Sequence, residues 1–192
     1  MANVVDVIDV PVVEATRENT KDYGLFIGED VPNDGLSIPF YKGSVQEGHN
    51  LPFECTGSAV IRTARISKRA PEVSWLERHM NMTQLFLGLG SQPFAMVLGK
   101  PNHEDGKKLP DLDTVKCFIL PAGHGIMIHK GTWHDFPLCV EEPVTVLTAN
   151  SPEVVEALAS MKDAHEMDHG DVYKIDISRH TGKMLRACLD KR

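Results

Sequence analysis

A chain of 192 residues is long enough to bury a sizeable core as one domain, and its 42% hydrophobic and 24% charged content is that of an ordinary globular protein. The net charge of −7 comes from both signs mixed along the chain, which argues against a nucleic-acid surface built on a basic stripe. Cys55, Cys117, Cys139 and Cys188 form no Cys-x-x-Cys pair, the N-terminus has no basic leader and no apolar run is long enough for a bilayer, so a cytoplasmic protein with reduced thiols is expected.

Residues 3–13 alternate Val and Asp and read as a β-rich arm, with Pro11 suiting an edge. A polar turn is expected at 16–22, then a short strand at 23–28. From 29 to 58 the chain is rich in Gly, Pro, Asn and Asp and reads mostly as loop, with short extended pieces such as 38–41. Strand signals then recur at 59–66, 74–79, 84–89, 93–98, 115–120, 126–129, 136–140 and 144–148. In the first of these, Ile61, Thr63 and Arg65 share a face. Ser151 can cap a helix with Pro152 at its first position, and Val154, Leu158 and Met161 make one apolar stripe, so a helix is expected near 152–163. A last strand at 171–177 precedes a charged tail. The expected organisation is an arm (1–20), a β domain (21–180) and a tail (181–192).

Two polar clusters stand out. Glu77 and His79 are two apart on a presumed strand and face the same way, with Gln84 beyond them. The stretch Ile119 to His134 turns at Gly123, Gly125 and Gly131 and carries His124, His129 and His134. Met127 and His129 share one face of its strand, and Ile126 and Ile128 the other. If the clusters meet inside a small barrel they form one site. This layout is similar to that of the cupins, and the resemblance implies a divalent metal at these positions, held by Glu77, His79, Gln84 and His134, which imidazole and carboxylate suit and the Gln84 carboxamide suits least. His165-Glu-Met-Asp-His169 has the zinc-protease spacing, but that chemistry needs both histidines on a well-formed helix, and Gly170 follows at once. It reads as a solvated turn. Gly88-Leu-Gly90 lacks the third glycine of a dinucleotide loop.

The layout of the two clusters resembles the cupins: an all-β, double-stranded β-helix barrel, here with an N-terminal β arm and one C-terminal helix. Three motifs are more specific. Leu76-Glu-Arg-His79 with Thr83-Gln-x-Phe86, then 109–118, then Gly125 to His134 are similar to segments of the ureidoglycolate lyases, across roughly residues 20–175. Departures are Ile128 for a Tyr, Lys130 for an Arg, Asp135 for a His and Leu87-Gly88 for Ile/Val-Pro. The resemblance implies a cytoplasmic homodimer in allantoin and purine breakdown that cleaves a carbon–nitrogen bond of ureidoglycolate to give urea and glyoxylate, sometimes with nickel or a similar ion.

On that reading the substrate is a small carboxylate, and His79 and His134 act at the reacting carbon. His129 is a further acid/base or orienting group, and Glu77 fixes an imidazole tautomer. Lys130 and then Arg65 are the candidates for the substrate carboxylate, Gln84 also contacts substrate, and Trp133 walls off water. The alternatives are a cupin lyase or isomerase on a different small hydroxy or amino acid, a metal-dependent cupin oxygenase, and a non-catalytic binding protein.

Overall fold

The computed structural model describes residues 5–31, 35 and 41–189. The arm gives β1 (Asp6–Asp9) and β2 (Val12–Glu14), followed by one helical turn, α1 (Arg17–Thr20), and β3 (Gly24–Ile27). Strands β4 (Val60–Ile66), β5 (Glu72–Val73), β6 (Trp75–Arg78), β7 (Gln84–Leu89) and β8 (Phe94–Gly99) come next, then β9 (Lys116–Leu120), β10 (Gly125–Ile128), β11 (Trp133–His134), β12 (Leu138–Cys139) and β13 (Val144–Asn150). The chain ends with α2 (Pro152–Ala159), β14 (Met167–His169), β15 (Val172–Asp176), α3 (Ile177–Thr181) and β16 (Lys183–Arg186).

Apart from a three-stranded sheet β1-β16-β5, these strands make a sheet in the order β3-β10-β7-β13-β4, and a larger one in the order β14-β15-β6-β11-β8-β9-β2, with β12 also on β8. The two sheets share a core. Phe86, Ile126, Ile128 and Val146 of the smaller sheet cluster with Phe94, Met96, Leu98 and Phe118 of the larger. The far side of the larger sheet is covered too: Leu76, Ala95, Val97, Trp133 and Ile175 cluster with Val10, Leu185 and Ala187. A strand buried on both faces loses its polar alternation, which is why β8 reads as an unbroken apolar run, Phe-Ala-Met-Val-Leu. The fold is all-β, as expected.

Several local expectations need correcting. The polar turn at 16–22 contains α1, closed by a capping box in which Thr16 and Asn19 each accept from the other's backbone N–H. The helix expected near 152–163 ends at Ala159, and Ser151 caps it as expected by accepting from the Val154 N–H. A second C-terminal helix, α3, is one turn long with Gly182 in the left-handed region after it. The charged tail contains β16, which pairs with β1 and β5 and buries Leu185 completely. The zinc-protease-like stretch is not helical: Met167–His169 is strand, and the His165 ring is bonded to the Asp163 carbonyl. Residues 3–4 of the arm and 38–40 of the loop lie outside the described residues. No helix among the described residues is long and apolar enough to cross a membrane.

Candidate active site

Strand register brings the two clusters together. His134 of β11 pairs with Glu77 of β6, and Glu77 pairs on its other side with Lys174 of β15. Directly paired residues on antiparallel strands point to one face, so all three side chains face the same way. The turn before β11 is stitched to the first cluster, because the Gly131 N–H donates to the His79 carbonyl at 2.7 Å. Gly131 has a φ of 77°, a conformation that costs a side-chain-bearing residue more.

The two imidazoles are oriented by backbone carbonyls. His79 Nδ1 is 2.7 Å from the Asp171 carbonyl oxygen, and His134 Nδ1 is 3.0 Å from that of Thr132. A carbonyl only accepts, so each Nδ1 carries the proton and each Nε2 of a neutral ring presents a lone pair. Asp171 is itself held at a φ of 54°, and its carboxylate accepts from the Met80 and Asn81 N–H groups. Thr132 is anchored by its hydroxyl, which donates to the Tyr23 carbonyl. The expectation that Glu77 fixes a tautomer is therefore overturned. Its Oε1 lies 3.6 Å from His134 Nε2 and 3.8 Å from His79 Nε2, beyond hydrogen-bonding distance.

Burial sets the proton affinities. Desolvation, helped by His79, pushes the His134 imidazole down to about 3, so the ring is neutral near pH 7. Desolvation raises the Glu77 carboxyl above its usual range, offset in part by His79 and Lys174.

The cluster opens into a cavity of about 350 Å³ between the sheets. One wall is Glu77, His134 and Phe136; the opposite wall is Arg62, Gln84, Phe86, Thr148 and Asn150. Val155, Leu158 and Ala159 of α2 close a third side. On the second wall Gln84 Nε2 donates to Asn150 Oδ1 at 2.5 Å, and Asn150 Nδ2 donates to the Thr148 hydroxyl at 3.2 Å. His79 Nε2, His134 Nε2 and Gln84 Oε1 are buried without a hydrogen-bond partner. Unsatisfied buried acceptors are costly, and three of them in one site point to something bound there. Glu77, His79 and His134 each offer a ligand atom, all within 4.8 Å of one another, so the donor set fits a divalent cation. A larger depression of about 470 Å³ beside β3 offers less chemistry, since its Arg17 is already held by Asp30.

Of the expected site residues, His79 belongs to the cluster but not to the cavity lining, and four others lie away from both. His129 lies just past the end of β10, and its Nε2 is bonded to the Lys21 carbonyl at 3.0 Å. Lys130 is paired with Glu54. Arg65 bonds to Thr145 and lines a separate depression with Leu89, Gly90 and Glu142. Trp133 precedes His134 on β11 and so faces the opposite core, where its indole N–H donates to Asn102 Oδ1 and the Arg78 guanidinium lies 4.4 Å above its ring. Residues that sequence reasoning passed over are Arg62, Thr148 and Asn150 on the cavity wall, Lys174 beside Glu77, and the carbonyls of Thr132 and Asp171. Their signal was strand parity, which became readable only once the register was known.

Two packed β-sheets with a buried His-His-Glu cluster at the cavity between them define an all-β protein with a candidate metal or acid/base site. The family model described as ureidoglycolate lyase matches residues 14–172, and the chain belongs to that family. A ureidoglycolate lyase of Escherichia coli K12 is 29% identical over 109 residues, covering 54% of this chain and 64% of that protein. One from Salmonella paratyphi B is 33% identical over 70 residues, covering 36% and 40%. The chain thus spans less than two thirds of the length of these curated relatives. Among solved structures, a dTDP sugar isomerase from Desulfovibrio desulfuricans aligns with a TM-score of 0.37 at 16% identity, covering 65% of this chain and 74% of that one.

Proposed function

We propose that this protein is a ureidoglycolate lyase that cleaves the bond between the hydroxylated carbon and the ureido nitrogen, releasing glyoxylate and urea. The observation that carries the reading is the pair of lone-pair-bearing Nε2 atoms on His79 and His134, which meet the Glu77 carboxyl at one buried cavity in a chain of this family.

The reaction moves one proton and one electron pair. The hydroxyl loses its proton and becomes the aldehyde carbonyl of glyoxylate as the carbon–nitrogen bond breaks. The electrons of that bond go to the ureido nitrogen, which takes up a proton and leaves as urea. A buried imidazole that resists protonation, as His134 does, is a poor proton store but a good fixed acceptor. His134 and His79 therefore hold and orient the hydroxyl. Glu77, whose proton affinity is raised, carries the proton from the hydroxyl side to the leaving nitrogen. The α2 side chains Val155 and Leu158 exclude water from the wall above. With a divalent cation bound, the same His79 Nε2, His134 Nε2 and Glu77 carboxylate, with Gln84 Oε1, would be its ligands instead of direct partners of the hydroxyl, and the cation would supply Lewis-acid polarisation of the substrate oxygens.

The test is to incubate the purified protein with ureidoglycolate and quantify both products. Urea and glyoxylate in equal amounts are expected; an inert protein under metal-supplemented conditions would remove the lyase reading. Elemental analysis of the same preparation, beside His79→Ala, checks the ligand set independently of turnover.

A further inference from the structure

The substrate reading calls for a cation facing the reacting groups, and the expected ones are engaged elsewhere. Lys130 is paired with Glu54 and Arg65 is bonded to Thr145; of the other arginines, Arg69 is paired with Asp135, and Arg78 is buried over Trp133 and bonded to Asn102. Arg62 stands apart. It lies in mid-strand on β4, directly paired with Thr148 of β13, which is directly paired with Phe86 of β7. Paired residues share a face, so Arg62, Thr148 and Phe86 form one rung across the smaller sheet, and all three line the cavity that holds Glu77 and His134. Gln84 and Asn150 follow two residues along their strands and line the same wall. Among the described residues no hydrogen bond or ion pair engages the Arg62 guanidinium.

We propose that Arg62 is the carboxylate-binding residue of this site, so that the cavity selects small 2-substituted acids by their charge. The proposal rests on the lyase reading for the identity of the substrate, but not for the existence of the subsite. A guanidinium presents a planar fork that matches a carboxylate in two parallel hydrogen bonds. Set on the wall opposite the imidazoles, it holds a small acid by one end with its substituted carbon toward His134 and Glu77. The polar chain Gln84–Asn150–Thr148 beside it gives the remaining hydroxyl and amide groups partners on the same wall. Lys174 is the competing cation. It flanks Glu77 on the other sheet, lines an adjoining cavity of about 120 Å³, and its ammonium lies 5.5 Å from the Trp75 ring centre. A point charge in that position steadies an ionised Glu77, and it lacks the fork geometry.

The test has two arms, using the full-length chain with Arg62→Gln, Arg62→Lys and Lys174→Met. The first is calorimetric binding of glycolate against its neutral counterpart, glycolamide. The wild-type protein is expected to bind glycolate at least about 10-fold more tightly, Arg62→Gln to lose that preference, and Arg62→Lys to keep part of it. The second is turnover of ureidoglycolate, in which Arg62→Gln is expected to raise KM by about 10- to 100-fold with kcat changed far less. If no variant and no wild type releases urea, yet glycolate binding still depends on Arg62, the lyase reading falls and this subsite stands. Unchanged glycolate affinity in Arg62→Gln, loss confined to Lys174→Met, or no glycolate preference in the wild type would each overturn the proposal. Arg62 is exposed on its strand, so a circular dichroism spectrum like the wild type's is expected for its variants.

Discussion

Each imidazole of the cluster is held by a carbonyl behind it, so its free nitrogen is aimed by the backbone. This makes a clear substitution experiment. His134→Ala removes one fixed acceptor, and Glu77→Gln keeps the shape while removing the proton carrier. Each is expected to lower kcat by about 10²- to 10⁴-fold with an unchanged circular dichroism spectrum; full activity in either would take that residue out of the mechanism. Parity explains which residues were legible. Glu77, His79 and His134 could be read because their spacing put two of them on one face and because several rarely buried residue types recur in two short stretches. Arg62 was not legible as a candidate, because alternation sorts β4 into two sets without saying which faces inward. The set Ile61, Thr63, Arg65 was the visible one, yet Ile61 is 67% exposed and Arg62 stands on the cavity rung. The same blindness of period-two patterns put Trp133 and Lys130 in the site.

Helix α2 shows how one element serves core and site together. Val154 and Ala157 pack with Met82, Met167 and Val172, while Val155, Leu158 and Ala159 turn to the cavity. An amphipathic stripe alone does not reveal the second role, because the groups it covers come from strands far away in the chain. The helix has only eight residues, so its cap matters. Ser151→Ala removes the acceptor for the Val154 N–H and is expected to cost about 1 kcal/mol, read as a lower urea midpoint at unchanged m. Faster amide exchange across 152–159 is expected alongside; an unaltered midpoint would mean the cap does not hold this wall. Strand β16 escaped notice because it is four residues long, carries Lys183 and Arg186, and offers one fully buried side chain, Leu185. The sheet that shelters it is made with β1, which a local pattern cannot foresee.

At the scale of the whole molecule, the arm is part of its own subunit's fold. β1 runs parallel to β16, and β2 runs parallel to β9, at the edge of the larger sheet. Deleting residues 1–13 is therefore expected to lower the thermal midpoint, with the same elution volume on size exclusion; a changed oligomer at an unchanged midpoint would instead place the arm on a partner. Tyr23 ties β3 to the larger sheet, its hydroxyl donating to the Thr114 carbonyl at 2.6 Å. Burial, aided by the Asp22 carboxylate, pushes this phenol from 10.0 up to about 12. The folded state favours the neutral form, so this stabilisation is complete below pH 10 and is lost as pH rises toward 12. Tyr23→Phe is expected to cost about 1 kcal/mol at neutral pH and to flatten that alkaline limb. An identical limb in both proteins would assign the loss to other groups.

The convergence of two segments distant in sequence on one cavity is what the functional reading depends on. Crystals soaked with glyoxylate test it most directly. Density for the acid or an accompanying ion is expected between His79, His134 and Glu77, with the carboxylate toward Arg62. Glyoxylate seated instead beside His129 and Lys130, with the Glu77 cavity filled by protein side chains, would contradict it.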